Sequence, residues 1–446
     1  MVSRGRAIAA IVLLLVSLVL VTEANAQREE CGGQPITQSG SPKNDTIKGT
    51  PGIDVIVAGP GDDTIDGLGG DDLLCGEAGN DIIVGGSGSD WLEGEDGVDS
   101  LTGGAGHDAL TGGPEGDALQ GGEGDDAIGY FNSPEGVTID LANSTASGGE
   151  ADGDTYFDIE NVDATEFDDI LTGTDGPNFF YARSGDDELH AGGGNDLFDA
   201  GPGADVIDGA DGLDHADYSY SPEATEGINI DLSTGRASGG YADGDSLVSM
   251  ESVGGSLLDD TFMGSEGDDL FYGNAGNDTL IGGNGNDYLS GELGDDHEDG
   301  GAGDDYFRQS DRSDGADVLI GGEGEADQLD YWARSKPVKV STDGKANDGY
   351  PGENDNIGSD IENLGGADGD DNFVGSNGAE RFRLKGGNDS AQGKGGDDRL
   401  VGGPGNDRLV AGPGKDVLIG GPGRDKCVLD DPKDVARSCE QTARSF

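Results

Sequence analysis

Residues 40–129 repeat every nine residues without remainder, in ten units that begin at Gly40, Gly49, Ala58, Gly67, Gly76, Gly85, Gly94, Gly103, Gly112 and Gly121. The sixth place of every unit is aspartate: Asp45, Asp54, Asp63, Asp72, Asp81, Asp90, Asp99, Asp108, Asp117 and Asp126. The eighth place is always isoleucine or leucine, from Ile47 and Ile56 to Leu119 and Ile128. A unit such as residues 103–111, GGAGHDALT, reads as a six-residue turn followed by a three-residue strand, because glycine tolerates the backbone angles of tight turns. One aliphatic side chain per unit then points inward. A single unit has almost nothing to bury, so order depends on stacking the units in register until that column becomes a continuous narrow core. The period predicts an all-β chain, a parallel β-roll or β-solenoid.

Composition alone points the other way. Glycine fills 87 of 446 positions and hydrophobic residues only 33%, values typical of a disordered chain, and it is the periodicity that overrides them. With 25 basic against 92 acidic residues the formal charge is −67, which opposes compaction and argues against nucleic acid or anionic membrane as partner. Stacked turns would bring their sixth-place carboxylates together, and like charges a few ångströms apart require a cation between them. Calcium suits the role: it takes six to eight oxygens in a flexible shell, and glycine-rich turns offer carbonyl oxygens beside the aspartates, whereas magnesium demands tight octahedral geometry.

The Gly-Gly-x-Gly-x-Asp-x-aliphatic-x pattern resembles that of the repeats-in-toxin (RTX) calcium-binding family. The resemblance implies that consecutive turns lie on alternate edges of a roll, with an ion shared between unit n and unit n+2, so that Asp45 goes with Asp63 and Asp54 with Asp72. About twenty calcium ions would then neutralise roughly forty charges, and an expanded chain is expected without them.

Further blocks repeat the scheme. A second roll, 164–217, carries Asp169, Asp187, Asp196, Asp205 and Asp214, with Asn178 standing once for aspartate and expected to give a weaker site. A third, 255–330, carries Asp260, Asp269, Asp278, Asp287, Asp296 and Asp305, then two looser units with Asp317 in register and Asp327 displaced; its aliphatic column is broken at Glu298, where poor packing is expected. A fourth, 366–428, carries Asp371, Asp389, Asp398, Asp407, Asp416 and Asp425, with Glu380 and Ala391 as departures. Between the blocks lie three segments, 130–163, 218–254 and 331–365, that resemble RTX connectors. Each carries an alternating stretch (VTIDL at 137–141, INIDL at 228–232, VKV at 338–340) and a later Ile/Met-Glu-x-aliphatic stretch, as in IENV at 159–162. They read as spacers that end one roll and start the next, with Tyr130, Phe131, Tyr156, Tyr218, Tyr220, Tyr331 and Trp332 covering open ends rather than binding a ligand.

The termini complete the picture. Arg4 and Arg6 precede an apolar run, 7–21, and Ala24-Asn25-Ala26 supplies small residues, the layout of a secretory leader spanning 1–26. Secretion delivers the chain to millimolar calcium and to a compartment where disulfides persist. A short cap, 27–39, precedes the first roll, and a tail without repeats, 429–446, follows the last. Four cysteines allow three pairings; Cys31 with Cys75 and Cys427 with Cys439 are favoured, since each would join a terminal segment to the repeats beside it. A cleavable leader departs from the many RTX proteins that are exported through an uncleaved C-terminal segment.

No stretch outside the repeats is long enough for an ordinary catalytic domain. No zinc-protease His-Glu-x-x-His, hydrolase Gly-x-Ser-x-Gly or phosphate-loop Gly-Lys-Ser/Thr ending occurs, and His107, His190, His215 and His297 form no ligand cluster and read as surface substitutions. The expected function is therefore that of a secreted, non-catalytic calcium-binding scaffold or adhesive surface. The alternative is a carbohydrate-active or sugar-binding site in the connectors.

Overall fold

In the computed structural model the described residues are Cys31 and 34–444, so the leader assigned to 1–26 lies outside them. The chain divides into two compact units, residues 1–173 and 174–446. Both are all-β, and both are built by the nine-residue period.

In the first unit each three-residue strand pairs in parallel with the strand eighteen residues on. Thr46–Lys48 lies beside Thr64–Asp66, which lies beside Ile82–Ser87, then Ser100–Ala105 and Ala118–Glu123. On the opposite face Val55–Val57, Leu73–Ala78, Trp91–Asp96, Ala109–Thr111 and Ala127–Gly129 pair in the same way. Successive units thus alternate faces. The eighth-place side chains of the two faces meet in the middle: Ile56, Leu74, Leu92, Leu110 and Ile128 from one, Ile65, Ile83, Leu101 and Leu119 from the other, all buried. In several units pairing also runs into the following turn, as where Gly86 lies beside Gly104.

The second unit repeats this arrangement. One face runs from Phe179–Tyr181 through Leu197–Asp199 and His215–Asp217, and later through Arg381–Arg383, Arg399–Val401 and Val417–Ile419. Phenylalanine replaces the aliphatic residue at Phe180, Phe198, Phe262, Phe271, Phe307, Phe373 and Phe382, each buried. Glu298 also points inward and is fully buried. Its Oε1 accepts the Gly291 N–H at 2.6 Å, while Oε2 has no partner among the described residues, and burial raises its carboxyl far above the usual range.

The connectors do more than separate rolls. In the first, Thr138–Asp140 and Thr145–Ser147 form an antiparallel hairpin whose first strand pairs in parallel with Ile170–Thr172, the opening strand of the next block. The chain then returns to the preceding roll, adding Thr155–Phe157 to Ala118–Glu123 and Asn161–Asp163 to Ala127–Gly129. The second connector repeats this with Asn229–Asp231, Arg236–Ser238, Ser246–Val248 and Ser252–Gly254. In the third, Lys339–Ser341 starts the next sheet while Asn356–Ile357 and Asn363–Gly365 extend the previous ones.

Both terminal segments join the stack as well. Gln38–Ser39 pairs with Val55–Val57. The tail, which shows no repeat in sequence, supplies Val435–Arg437 beside Val417–Ile419 and Gln441–Arg444 beside Lys426–Leu429. Disulfides join Cys31 to Cys75 and Cys427 to Cys439, the pairing expected. No helix among the described residues is long and apolar enough to cross a membrane.

Candidate metal centre

Each strand ends a turn, and each turn presents its sixth-place carboxylate to the turn stacked on it. The backbone N–H of Asp54 donates to Asp72 Oδ1 at 2.8 Å, that of Asp72 to Asp90 and that of Asp90 to Asp108, both at 2.8 Å. The other edge runs Asp45, Asp63, Asp81, Asp99 and Asp117 at 2.6–2.7 Å. The n, n+2 partners are therefore neighbours, joined through one carboxylate oxygen and a backbone amide. The same ladder links Asp196 to Asp214, Asp278 to Asp296 and Asp287 to Asp305, and Asp389 to Asp407 and Asp407 to Asp425.

The second oxygen behaves differently. Among the described residues, Oδ2 of Asp63, Asp72, Asp81, Asp90, Asp99, Asp108, Asp117 and Asp126 is buried with no hydrogen-bond partner, and the same holds for Asp196, Asp205, Asp214, Asp278, Asp287, Asp296, Asp305, Asp327, Asp389, Asp398, Asp407, Asp416 and Asp425. A buried carboxylate oxygen without a partner costs free energy, and here the same cost recurs turn after turn. In most of these turns the oxygen faces the first glycine of its own turn and the first carbonyl of the stacked turn. A Cβ built on Gly67 would lie 2.5 Å from Asp72 Oδ2 and 2.7 Å from the Gly85 carbonyl oxygen. A methyl group crowds this cradle, which favours glycine at the first place without any need for an unusual φ, although alanine fills it at Ala58, Ala191, Ala200 and Ala411.

Electrostatics mark the same atoms. Burial, with stacked carboxylates adding to it and a backbone amide opposing it, pushes Asp99 and Asp108 up to about 7 and Asp117, Asp205, Asp278 and Asp287 up to about 8. The donor set is oxygen alone, carboxylate and carbonyl, which suits a hard cation of flexible coordination such as calcium.

A family model for the RTX calcium-binding nonapeptide repeat (4 copies) matches residues 39–74, 76–110, 163–198, 183–216, 254–289, 272–307 and 392–427. The chain belongs to the RTX calcium-binding repeat family. Among curated proteins, none matches it in sequence. As an RTX β-roll it is a calcium-binding repeat protein.

Not every sixth-place residue is left partnerless. In the turns opened by Gly40, Gly49, Ala164, Gly173, Gly255, Gly264, Gly366 and Gly375 the second residue turns its own N–H back onto the carboxylate or amide four residues on. Ser41 reaches Asp45 at 2.6 Å, Thr50 reaches Asp54 at 2.5 Å, Thr165 reaches Asp169 at 2.8 Å and Thr174 reaches Asn178 at 2.7 Å. Ser256, Ser265, Ala367 and Ser376 do the same to Asp260, Asp269, Asp371 and Glu380 at 2.6, 2.6, 2.9 and 3.0 Å.

The ladder also uses residues that the nonapeptide pattern does not reveal. Asp117 donates to Asp154, Asp205 to Asp245 and Asp317 to Asp355. Asp126, Asp214 and Asp327 donate to Glu160, Glu251 and Glu362, and Asp416 and Asp425 to Asp434 and Glu440. The signal is present in the sequence as an acid two residues before a hydrophobic one, as in Asp245-Ser246-Leu247, but the spacing departs from nine. In the connectors the second oxygen meets a tyrosine: the hydroxyls of Tyr130, Tyr218 and Tyr331 donate to Oδ2 of Asp154, Asp245 and Asp355 at 2.6, 2.7 and 2.9 Å. These tyrosines are buried. His215, expected on the surface, is buried too, with Nδ1 2.7 Å from Ser252 Oγ.

Proposed function

We propose that this chain is a secreted, non-catalytic structural protein whose rolls order when extracellular calcium binds, and that it serves as a scaffold or adhesive surface. The observation that carries this reading is the column of buried Oδ2 atoms without partners among the described residues, which a divalent cation would satisfy at each turn that carries one. The leader-like residues 1–26 and the two disulfides support export to an oxidising, calcium-rich space. A non-catalytic role is supported by the use of the connector tyrosines inside the ladder, where their hydroxyls are committed to Asp154, Asp245 and Asp355.

The test is circular dichroism and calorimetry of the chain from Gln27, titrated with calcium. A cooperative gain of β structure near millimolar calcium is expected. Equal order in excess chelator and in calcium would overturn the reading, and turnover of a polysaccharide by the calcium-loaded chain would overturn its non-catalytic part.

A further inference from the structure

The turns fall into two conformations, and one backbone angle separates them. Where the second residue is left-handed, as at Leu68 (φ 76), Glu95 (φ 69), Asn274 (φ 69) and Lys394 (φ 73), the carboxylate of that turn keeps a partnerless Oδ2. The N–H is then directed away, that of Lys394 to the Ala411 carbonyl. Where the second residue is serine, threonine or Ala367, none is left-handed, and its N–H closes onto the carboxylate. Hydroxyls reinforce the closure: Thr165 Oγ1 lies 3.0 Å from both Asp169 oxygens and Ser256 Oγ donates to Asp260 Oδ1 at 2.8 Å. At the fourth place, Gly267 in a closed turn has an ordinary φ and only Ser265 Oγ, at 3.6 Å, near a Cβ, whereas Gly285 in an open one has φ 120 and sits against the Gly267 carbonyl.

The first two turns of each of the four rolls are closed, at Gly40 and Gly49, Ala164 and Gly173, Gly255 and Gly264, Gly366 and Gly375. The same closure recurs at Ser310 onto Asp314, in the irregular end of the third roll, and at Asp430 onto Asp434, after the fourth. A second, independent pattern coincides with this. The sixth-place column departs from aspartate at Asn178 and Glu380, and both departures fall in closed turns.

We propose that the second residue of each nonapeptide decides whether its turn takes calcium, and that the two turns opening each roll take none. Resting on the calcium-roll reading above, this narrows the metal sites to the open turns and removes Asp45, Asp54, Asp169, Asp260, Asp269 and Asp371 from the ligand set. Asp54, Asp169, Asp260, Asp269 and Asp371 have donors on both oxygens, whereas among the described residues Asp45 accepts on Oδ2 alone and Glu380 on Oε1 alone. In every closed turn a cation would have to displace the N–H of the second residue before it could take the oxygen that N–H holds. An open carboxylate has one oxygen waiting. Each roll therefore starts on a pair of turns that the protein itself completes, and ions enter from the third turn onward. Asn178, expected from sequence to form a weak site, becomes a residue at a turn with no ion to hold.

The test compares isosteric variants of the full chain from Gln27, with bound calcium counted by native mass spectrometry and by equilibrium dialysis. Asp260→Asn and Asp269→Asn, in closed turns, are expected to leave the saturating count equal to that of the parent. Asp287→Asn and Asp305→Asn, in open turns, are expected to lower it by at least one ion each. A lower count in the closed-turn variants overturns the sorting, and so does an unchanged count in the open-turn variants. Should one open-turn variant fail to regain β structure in calcium, the other supplies the comparison. A parent chain that binds no calcium would instead defeat the calcium-roll reading, so the two failures are distinguishable.

Discussion

At the scale of single residues, glycine has three different jobs in one turn, and the structure separates them. First-place glycines such as Gly67 leave room beside Asp Oδ2, second-place ones such as Gly86 permit a left-handed backbone, and a fourth-place one such as Gly285 lets a stacked carbonyl approach where a Cβ would stand. Gly285 and Gly267 occupy the same place in turns of the two kinds. Gly285→Ala forces a side chain to φ 120 against the Gly267 carbonyl, which costs at least about 1–2 kcal/mol. The nearest atom to a Cβ on Gly267 is Ser265 Oγ at 3.6 Å, and its φ is ordinary, so Gly267→Ala is expected to be neutral or stabilising by about 0.4–1 kcal/mol. Urea unfolding in saturating calcium separates the two; similar midpoints for both variants would count against this account of the turns.

Among the elements, the rolls were legible in the sequence and the joints were not. Aspartate at every ninth place and the aliphatic column from Ile47 to Ile128 fixed the stacking, because each obeys a period that a strand-and-turn coil alone explains. Asp154, Asp245 and Asp355 escaped notice because a hairpin precedes each of them and shifts the spacing, although they hold the same place in the ladder. The tyrosines do not cover an open core, because the core does not end at the connector: Tyr156 and Val162 continue it, paired in register with Leu119 and Ile128. The hydroxyl of Tyr218 is the donor that satisfies Asp245 Oδ2. Tyr218→Phe leaves that buried oxygen without a partner, and a loss of about 1–3 kcal/mol is expected. Hydrogen exchange should localise the loss to Ser246–Val248 and the strand beside it, Val206–Asp208. Protection unchanged there, with the midpoint unchanged, would show that the hydroxyl contributes nothing. The third connector adds a fixed cation of its own: Arg334, fully buried, donates to Asp314 at 2.5 Å and to Glu353 at 2.6 Å. Arg334→Met leaves two buried carboxylates without their counter-charge, and a destabilisation of about 3–5 kcal/mol is expected, read as a lowered melting temperature in calcium.

For the molecule as a whole, a formal charge of −67 makes protons and calcium competitors for the same oxygens. Burial raises Asp90, Asp305 and Asp407 to about 6, Asp99, Asp196 and Asp389 to about 7, and Asp117, Asp205 and Asp287 to about 8. In the unfolded chain an aspartate titrates near about 3.9. A carboxyl whose folded value is the higher one binds its proton more tightly when folded, so folding takes up protons. Its contribution is fully present below the unfolded value and disappears as pH rises through the folded value. Many such groups act in the same direction, and neutralising them also relieves the repulsion along each edge. The calcium-free chain should therefore gain β structure as pH falls from about 8 toward 5, within the window those shifts define. Calcium binding displaces the same protons, so its midpoint should move to higher calcium over the same fall in pH, with proton release on binding measurable by calorimetry in buffers of different ionisation enthalpy. Circular dichroism in chelator supplies the other half of the test. A calcium-free chain that loses order on acidification from neutral pH would mean that these carboxylates are solvated in the absence of the ion, and the cradles would then be formed by calcium rather than waiting for it.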